Sequence, residues 1–509
     1  MKKIFSVLLA LIIAAVSIIP CFAKDDKCTC GEAPIVYVAA LGSAQVIRDK
    51  GTENETVLFR PQTENVLKAF TPLIGAAAEL IATKDYEKFG EVLTSCVNNT
   101  FGDLALDGNG DSKPNVGSDE RHPDGTEHGI DRSYYFGYDF RLDPIENAEL
   151  LHTYIDEVKE ITKHDTLRIR ASSMGGVVMM SYIYLYGTED IETIIFQNCP
   201  ILGTAVAGEL FNGKVEINKD ALVRYANGAI PSLDSDFLAG FLFALVQMLD
   251  DAGVWQGLVN IADELVLNLK DTLYEECLIP IFGSLPGIWS FVPHEYYESG
   301  KIFMQLDKNT QAGLIEKLDN YHYNVQCKAD ELLNGAKESG TNIYIVAGYN
   351  IQRTPLVTAY METSDGTVDT KYASCGATCA PIYQSFDSDY IQAELSDVNY
   401  ISPDRMIDAS TCILPENTWF VKDMLHCTTH SGHDRFYRIL FESDEQLTVF
   451  DMEEYPQFLQ NDIVNEQLLP LENEENEFLT LIKNLFKAPS FINLSKLLVF
   501  IVNQIKNLF

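Results

Sequence analysis

Residues 33–40 form an apolar run, Ala-Pro-Ile-Val-Tyr-Val-Ala-Ala, that stops at Leu41-Gly42-Ser43. A short β-branched-rich run closed by glycine predicts a buried strand and a tight loop. Residues 64–95 instead carry apolar positions at helical spacing, as do Leu150, Leu151, Ile155, Val158 and Ile161 within residues 146–161. Thr166–Ala171 predicts a second strand that turns at once into a helix near Met174. Residues 192–199, Asn342–Gly348 and Thr418–Lys422 predict three more strands. Residues 103–130 are rich in Gly, Asp, Asn and Pro and predict a loop. Within it, Asp107–Asp111 has the alternating oxygens of a calcium loop. Ser112 and Ser118 stand where its glycine and bidentate glutamate belong, so a solvated turn is expected. Strand–helix–strand succession predicts an α/β fold with a mostly parallel sheet and helices on both faces.

Residues 205–300 break that alternation. They hold a 13-residue uncharged run, Phe237–Leu249, then Trp255 and the stretch Gly283–Trp289. Thirteen residues are too few to span a bilayer, so a helical insertion is expected, either a buried hairpin or a lid over an apolar pocket. The chain divides accordingly into a leader (1–23), a first core segment (24–204), the insertion (205–300), a second core segment (301–460) and a tail (461–509). The tail predicts an amphipathic helix, with Leu494, Leu497, Leu498, Ile501, Ile505 and Leu508 on one face.

The first residues set the compartment. Lys2 and Lys3 precede the apolar run Ile4–Ile19, then Pro20-Cys21-Phe22-Ala23, which predicts a secretory signal cleaved after Ala23. The residues before Cys21 match a lipoprotein signal poorly. Secretion is therefore expected, and a membrane anchor or lipid anchor is the less favoured alternative. Across 509 residues, 74 acidic side chains face 37 Lys and Arg, a formal charge of -37. That balance excludes nucleic acid as a partner and opposes docking on anionic lipid. Export leaves ten cysteines, Cys28, Cys30, Cys96, Cys199, Cys277, Cys327, Cys375, Cys379, Cys412 and Cys427, whose even count permits disulfides. Cys28-x-Cys30 and Cys375-x3-Cys379 could pass for metal pairs. They lack the repeated spacing and neighbouring histidines of a zinc site, which argues against a metal role.

The chemistry concentrates in Ala171-Ser-Ser-Met-Gly-Gly176. A strand turning sharply into a helix needs small residues two before and two after an exposed nucleophile, and Ala171 and Gly175 meet that need around Ser173. The Met174 N–H is one oxyanion donor. The Leu41 N–H, in the loop after the first strand, is the candidate for the second. The base should follow in the order Ser, acid, His, and His426 lies nearest the end of the strand Thr418–Lys422, ahead of His430 and His433. For the acid, Asp404 ranks first, then Asp365, then Asp408. No metal and no organic cofactor is implied.

Tyr138-Asp-Phe-Arg-Leu-Asp143 with the following Pro-Ile-Glu-Asn, then Ala171–Gly176 and Pro200-x2-Gly203-Thr204, together resemble the lecithin–cholesterol acyltransferase family of α/β-hydrolases. Gly348-Tyr349, Thr354-Pro355, Asp365-Gly-Thr-Val, Asp404-x2-Ile-Asp408 and His426 extend the resemblance in order, so it runs from Ile35 to His426. Three positions depart from it: Ser172 replaces a histidine, Ala39-Ala40 replace Pro-Gly, and Arg405 replaces the glycine after the acid. The resemblance implies an α/β-hydrolase fold with a helical lid and a secreted, bacterial-type serine hydrolase of carboxylic esters, most naturally lipid-like ones. Its partners would be a small-molecule or lipid ester, with transient lipid-surface contact through residues 237–289. The alternatives are an O-acyltransferase using the same triad, or a catalytically silent surface or binding protein on the same fold.

Overall fold

The computed structural model describes residues 27–59, 63–119, 122–129, 132–219, 221, 245–353 and 355–472. The leader, the first part of the Phe237–Leu249 run and the tail from residue 473 lie outside the described residues. Eight strands make one sheet: β1 (Ile35–Val38), β2 (Ser133–Phe136), β3 (Leu167–Ser172), β4 (Ile191–Gln197), β5 (Asn342–Tyr349), β6 (Thr418–Lys422), β7 (Phe458–Asp462) and β8 (Gln467–Pro470). They lie in the order β2-β1-β3-β4-β5-β6-β7-β8. Every neighbouring pair is parallel except β7–β8. Parallel strands demand cover on both faces, and the sequence supplies it. On one face, Val36, Ile169 and Ala171 pack with the helices described below; on the other, Ile35, Ile195, Val346 and Trp419 pack against the helix Ser431–Glu442 through Phe436 and Leu440.

The helices used here are α1 (Thr63–Phe70), α2 (Pro72–Thr83), α3 (Tyr86–Phe101), α4 (Pro144–Thr162), α5 (Met174–Tyr186), α6 (Ala205–Leu210), α7 (Trp255–Asn260), α8 (Ala262–Leu273), α9 (Ala329–Glu338) and α10 (Ser431–Glu442). Helix α5 begins Met-Gly-Gly-Val-Val-Met-Met and is buried on every side over Met174–Ile183. A helix apolar all round has to be enclosed, and α5 sits in the same core as Leu151, Ile155 and Val158 of α4 and Leu333 and Ala336 of α9. Asp143 caps α4, accepting the Ile145 N–H at 3.0 Å.

Two outcomes differ from the sequence expectation. The boundary at residue 460 cuts through β7, and residues 458–470 are a strand pair rather than the start of a helical tail. Polar β7 residues conceal the strand, because Asn461 is buried for its bonds to His430 and Asp423 rather than for apolar packing. The helical insertion also has two parts. Phe70, Leu73, Ala77, Leu80 and Phe89 of α1–α3 share one core with Leu249, Val254, Leu258, Ile261 and Leu269. Among the described residues no helix is long and apolar enough to cross a membrane.

The insertion returns to the sheet through Ile281–Phe291. Gly287 donates its N–H to the Arg141 carbonyl at 3.1 Å, and a Cβ there would lie 1.9 Å from the Phe140 carbonyl oxygen. The loop it meets is set by a buried ion pair. Arg141, fully buried, donates Nε and Nη2 to the two oxygens of Asp139 at 3.0 and 2.7 Å. Nη2 also reaches Ser112 Oγ at 2.9 Å, and Nη1 the Leu104 carbonyl at 3.3 Å. Breaking one side of such a pair leaves a buried charge uncompensated. Asp139→Ala is therefore expected to lose about 3–5 kcal/mol in urea unfolding, whereas exposed Asp165→Ala should leave the midpoint nearly unchanged.

Candidate active site

Strand β3 ends at Ser172 and α5 begins at Met174, so one residue makes the whole reversal. Ser173 takes it at φ 53° and ψ -127°, a conformation that a side chain adopts only under constraint from its surroundings. Its N–H is held by the Gln197 carbonyl at 3.1 Å, and its carbonyl accepts from Gly176 at 3.0 Å. A Cβ on Gly175 would lie 2.1 Å from the Val38 carbonyl oxygen, and one on Gly176 would lie 2.4 Å from Cys199 Cβ. Both glycines are needed for α5 to start this close to β1 and β4. The sequence pattern pointed to Gly175; Gly176 has the same justification.

Ser173 Oγ lies 2.9 Å from His426 Nε2, and His426 Nδ1 lies 2.7 Å from Asp365 Oδ2. His426 follows β6, as expected. The carboxylate that His426 meets follows β5, where Asp365 Oδ1 accepts the N–H groups of Thr367 and Val368 at 2.9 and 2.8 Å. Gly366, at φ 98°, makes that turn. The His426 N–H also donates to the Asp365 carbonyl at 2.9 Å, so backbone and side chain together fix the pair.

Asp404, ranked first from sequence, does not reach His426. Its Oδ2 accepts from Tyr349 Oη at 2.9 Å and lies 3.1 Å from Lys422 Nζ, and its Oδ1 accepts from Ser402 Oγ at 2.6 Å. Asp408 is occupied by Tyr390 Oη, Ala393 N and Ser410 N at 2.7–2.9 Å. Both carboxylates hold loops together. The glycine missing after Asp404 was the available signal, since Asp365 has Gly366 after it. His430 caps α10 and bonds Asn461 Oδ1 at 2.7 Å, while His433 is buried beneath it. Ser172 faces Cys427 Sγ at 3.6 Å.

Gly348 and Asn198 frame Asp365. A Cβ on Gly348 would meet the Met424 carbonyl oxygen at 2.5 Å and Asp365 Cβ at 2.9 Å. Asn198, at φ 50°, accepts the Gly348 N–H at 2.7 Å and so ties the ends of β4 and β5. On the other side, Tyr138 Oη donates to the Ala39 carbonyl at 2.8 Å and steadies the loop that carries Leu41. Met174 is the first residue of α5, where an N–H has no partner within its own helix.

Burial of His426 disfavours its charged form, but the Asp365 carboxylate and Cys427 favour it more strongly. The net result is an imidazole whose pKa is raised well above 6.5. All ten cysteines from Cys28 onward are free thiols here, and the disulfides that their even count permits are not formed. Comparison with protein-family models and with curated proteins finds no match. Among solved structures, a chain from "The crystal structure of Tle4-Tli4 complex" aligns over 62% of this chain and 74% of that one, at 12% identity and a TM-score of 0.22. A likeness of that size carries no argument.

A base must be neutral to accept a proton, so activity is present above its pKa and lost below it. The acid limb of kcat/KM against an activated ester is expected to have its midpoint above 6.5. Asp365→Asn should move that limb down and lower the plateau by roughly 10⁴, the scale seen when a triad acid is neutralised. Asp404→Asn should leave the limb in place.

Proposed function

We propose that this chain is a serine hydrolase of carboxylic esters that works through an acyl-enzyme. The carrying observation is the unbroken relay from Ser173 Oγ through both nitrogens of His426 to Asp365, at 2.9 and 2.7 Å. Asp365 accepts from Nδ1, which leaves the Nε2 lone pair directed at the serine. His426 takes the Ser173 proton as Oγ attacks the acyl carbonyl, then returns it to the leaving alkoxide. The Met174 and Leu41 N–H groups stabilise the tetrahedral oxyanion. Water, deprotonated by the same histidine, then releases the carboxylic acid and restores Ser173. No metal or organic cofactor takes part in these steps.

The order of the groups also supports an α/β-hydrolase reading of the lecithin–cholesterol acyltransferase kind. Nucleophile, acid and base follow β3, β5 and β6, all at the C-terminal ends of parallel strands. The resemblance favours a lipid-like acyl group; the returning insertion packs on α5, where a Cβ on Gly287 would lie 2.8 Å from Met174 Cε, and Ile281 and Leu285 join the same core. The leader favours action outside the cell, and the acidity favours neutral or cationic substrates.

Turnover of p-nitrophenyl esters of increasing acyl length tests the proposal. Wild type should release p-nitrophenol in a burst when deacylation limits. Ser173→Ala should lose the burst and fall by about 10⁴ or more. Undiminished turnover in Ser173→Ala would overturn the assignment.

A further inference from the structure

Cys28, Cys30, His128 and His164 are scattered through the sequence, and the fold gathers them at one point. Cys30 Sγ lies 3.2 Å from His128 Nε2 and 3.4 Å from His164 Nε2; Cys28 Sγ lies 3.9 Å from His128 Nε2. All four ligand atoms fall within 4.8 Å of one another. Metal–ligand bonds of about 2.0–2.3 Å put the corners of a tetrahedron about 3.3–3.8 Å apart, close to the 3.2–3.9 Å of these three contacts. We propose that this cluster is a structural zinc site, Cys2His2, at the end of the sheet opposite Ser173.

The ligands are prepared for an ion on their outer sides as well. His128 Nδ1 lies 3.1 Å from the Thr126 carbonyl oxygen and His164 Nδ1 lies 3.0 Å from that of Thr162. A carbonyl can only accept, so each Nδ1 carries the proton and each Nε2 turns a lone pair towards the cysteines. The Glu32 N–H donates to Cys30 Sγ at 3.3 Å, an outer contact that orients the sulfur. Gly31, at φ 82°, makes the turn after Cys30, and a Cβ on Gly129 would lie 2.8 Å from Glu32 Oε2. The glycine following His128 holds φ 131°, a backbone conformation that other residues rarely adopt. Two thiolates and two neutral imidazoles balance the charge of a divalent ion, and thiolate with imidazole is a zinc donor set.

Position gives the site its role. The cysteines precede β1, His128 precedes β2 and His164 precedes β3, so the ligands meet at the N-terminal ends of three adjacent strands. The Cys28 N–H already donates to the Lys163 carbonyl at 2.9 Å. An ion there would tie the segment entering the fold to the sheet edge, roughly 20 Å along β3 from the nucleophile by strand rise. Four protein ligands leave no position for substrate, which marks the site as structural. The two histidines lie 98 and 134 residues beyond Cys30, so no local spacing reveals them.

Zinc analysis and cobalt substitution of the full chain, purified under reducing conditions, test the site. About one zinc per chain should be bound in a Cys327→Ser background, which disables the separate trio of His294, His322 and Cys327. Cobalt should give tetrahedral d–d bands with thiolate charge transfer, lost in Cys30→Ser and His164→Ala. His164→Cys should keep the ion and strengthen the charge-transfer band, which guards against reading a folding defect as ligand loss. Chelation should lower the thermal midpoint, and residual ester turnover per folded molecule should be unchanged. Absence of stoichiometric zinc after reconstitution, a Cys28–Cys30 disulfide, or cobalt bands that survive Cys30→Ser would each overturn the proposal.

Discussion

The structure turns on the close approach of α5 to the ends of β1 and β4. With only 2.1 Å between a would-be Cβ on Gly175 and the Val38 carbonyl oxygen, the helix can start there only without side chains. That approach forces the reversal into a single residue, and Ser173 absorbs it at φ 53°. The strain is held by cover on all sides, because α5 is buried between the sheet, α4 and α9. The Ser173 N–H donates to the Gln197 carbonyl and the Ser173 carbonyl accepts from Gly176, which keeps the turn closed. Ser173 is thus positioned by packing that extends across the whole sheet.

The remaining parts of the site answer to the same sheet. Parallel strands bring the loops after β3, β5 and β6 to one edge, although Ser173 and His426 are 253 residues apart and His426 and Asp365 are 61 apart. The insertion reaches this edge through Gly287, whose N–H donates to the backbone carbonyl of Arg141 in the loop that the Asp139–Arg141 pair holds. At the opposite edge, the proposed zinc site ties together the entries to β1, β2 and β3. The candidate site and the proposed staple therefore lie at opposite edges along the strand direction.

Much of this was legible in sequence. The strands Thr166–Ala171 and Thr418–Lys422 announce themselves by β-branched and aromatic composition, and α4 by its apolar spacing. Ser173 is readable because the strand–turn–helix rule needs only local residues. Asp365 was harder. Asp404 and Asp408 also sit in tight turns before β6, and choosing among the three depends on which loop the sheet aims at His426. The two-part insertion was hidden for a similar reason, since α3 and α8 are each amphipathic and their shared core is a tertiary fact. The strand β7 was hidden because its buried Asn461 serves hydrogen bonds rather than the apolar core.

The central claim is that Ser173 is a nucleophile activated by His426. Reaction of the full chain with a fluorophosphonate, followed by peptide mass mapping, addresses it most directly. A single phosphonyl adduct on the peptide containing Ser173, formed far more slowly in His426→Ala, is the result predicted. No adduct on the folded wild type, or an adduct that persists in Ser173→Ala, would contradict it.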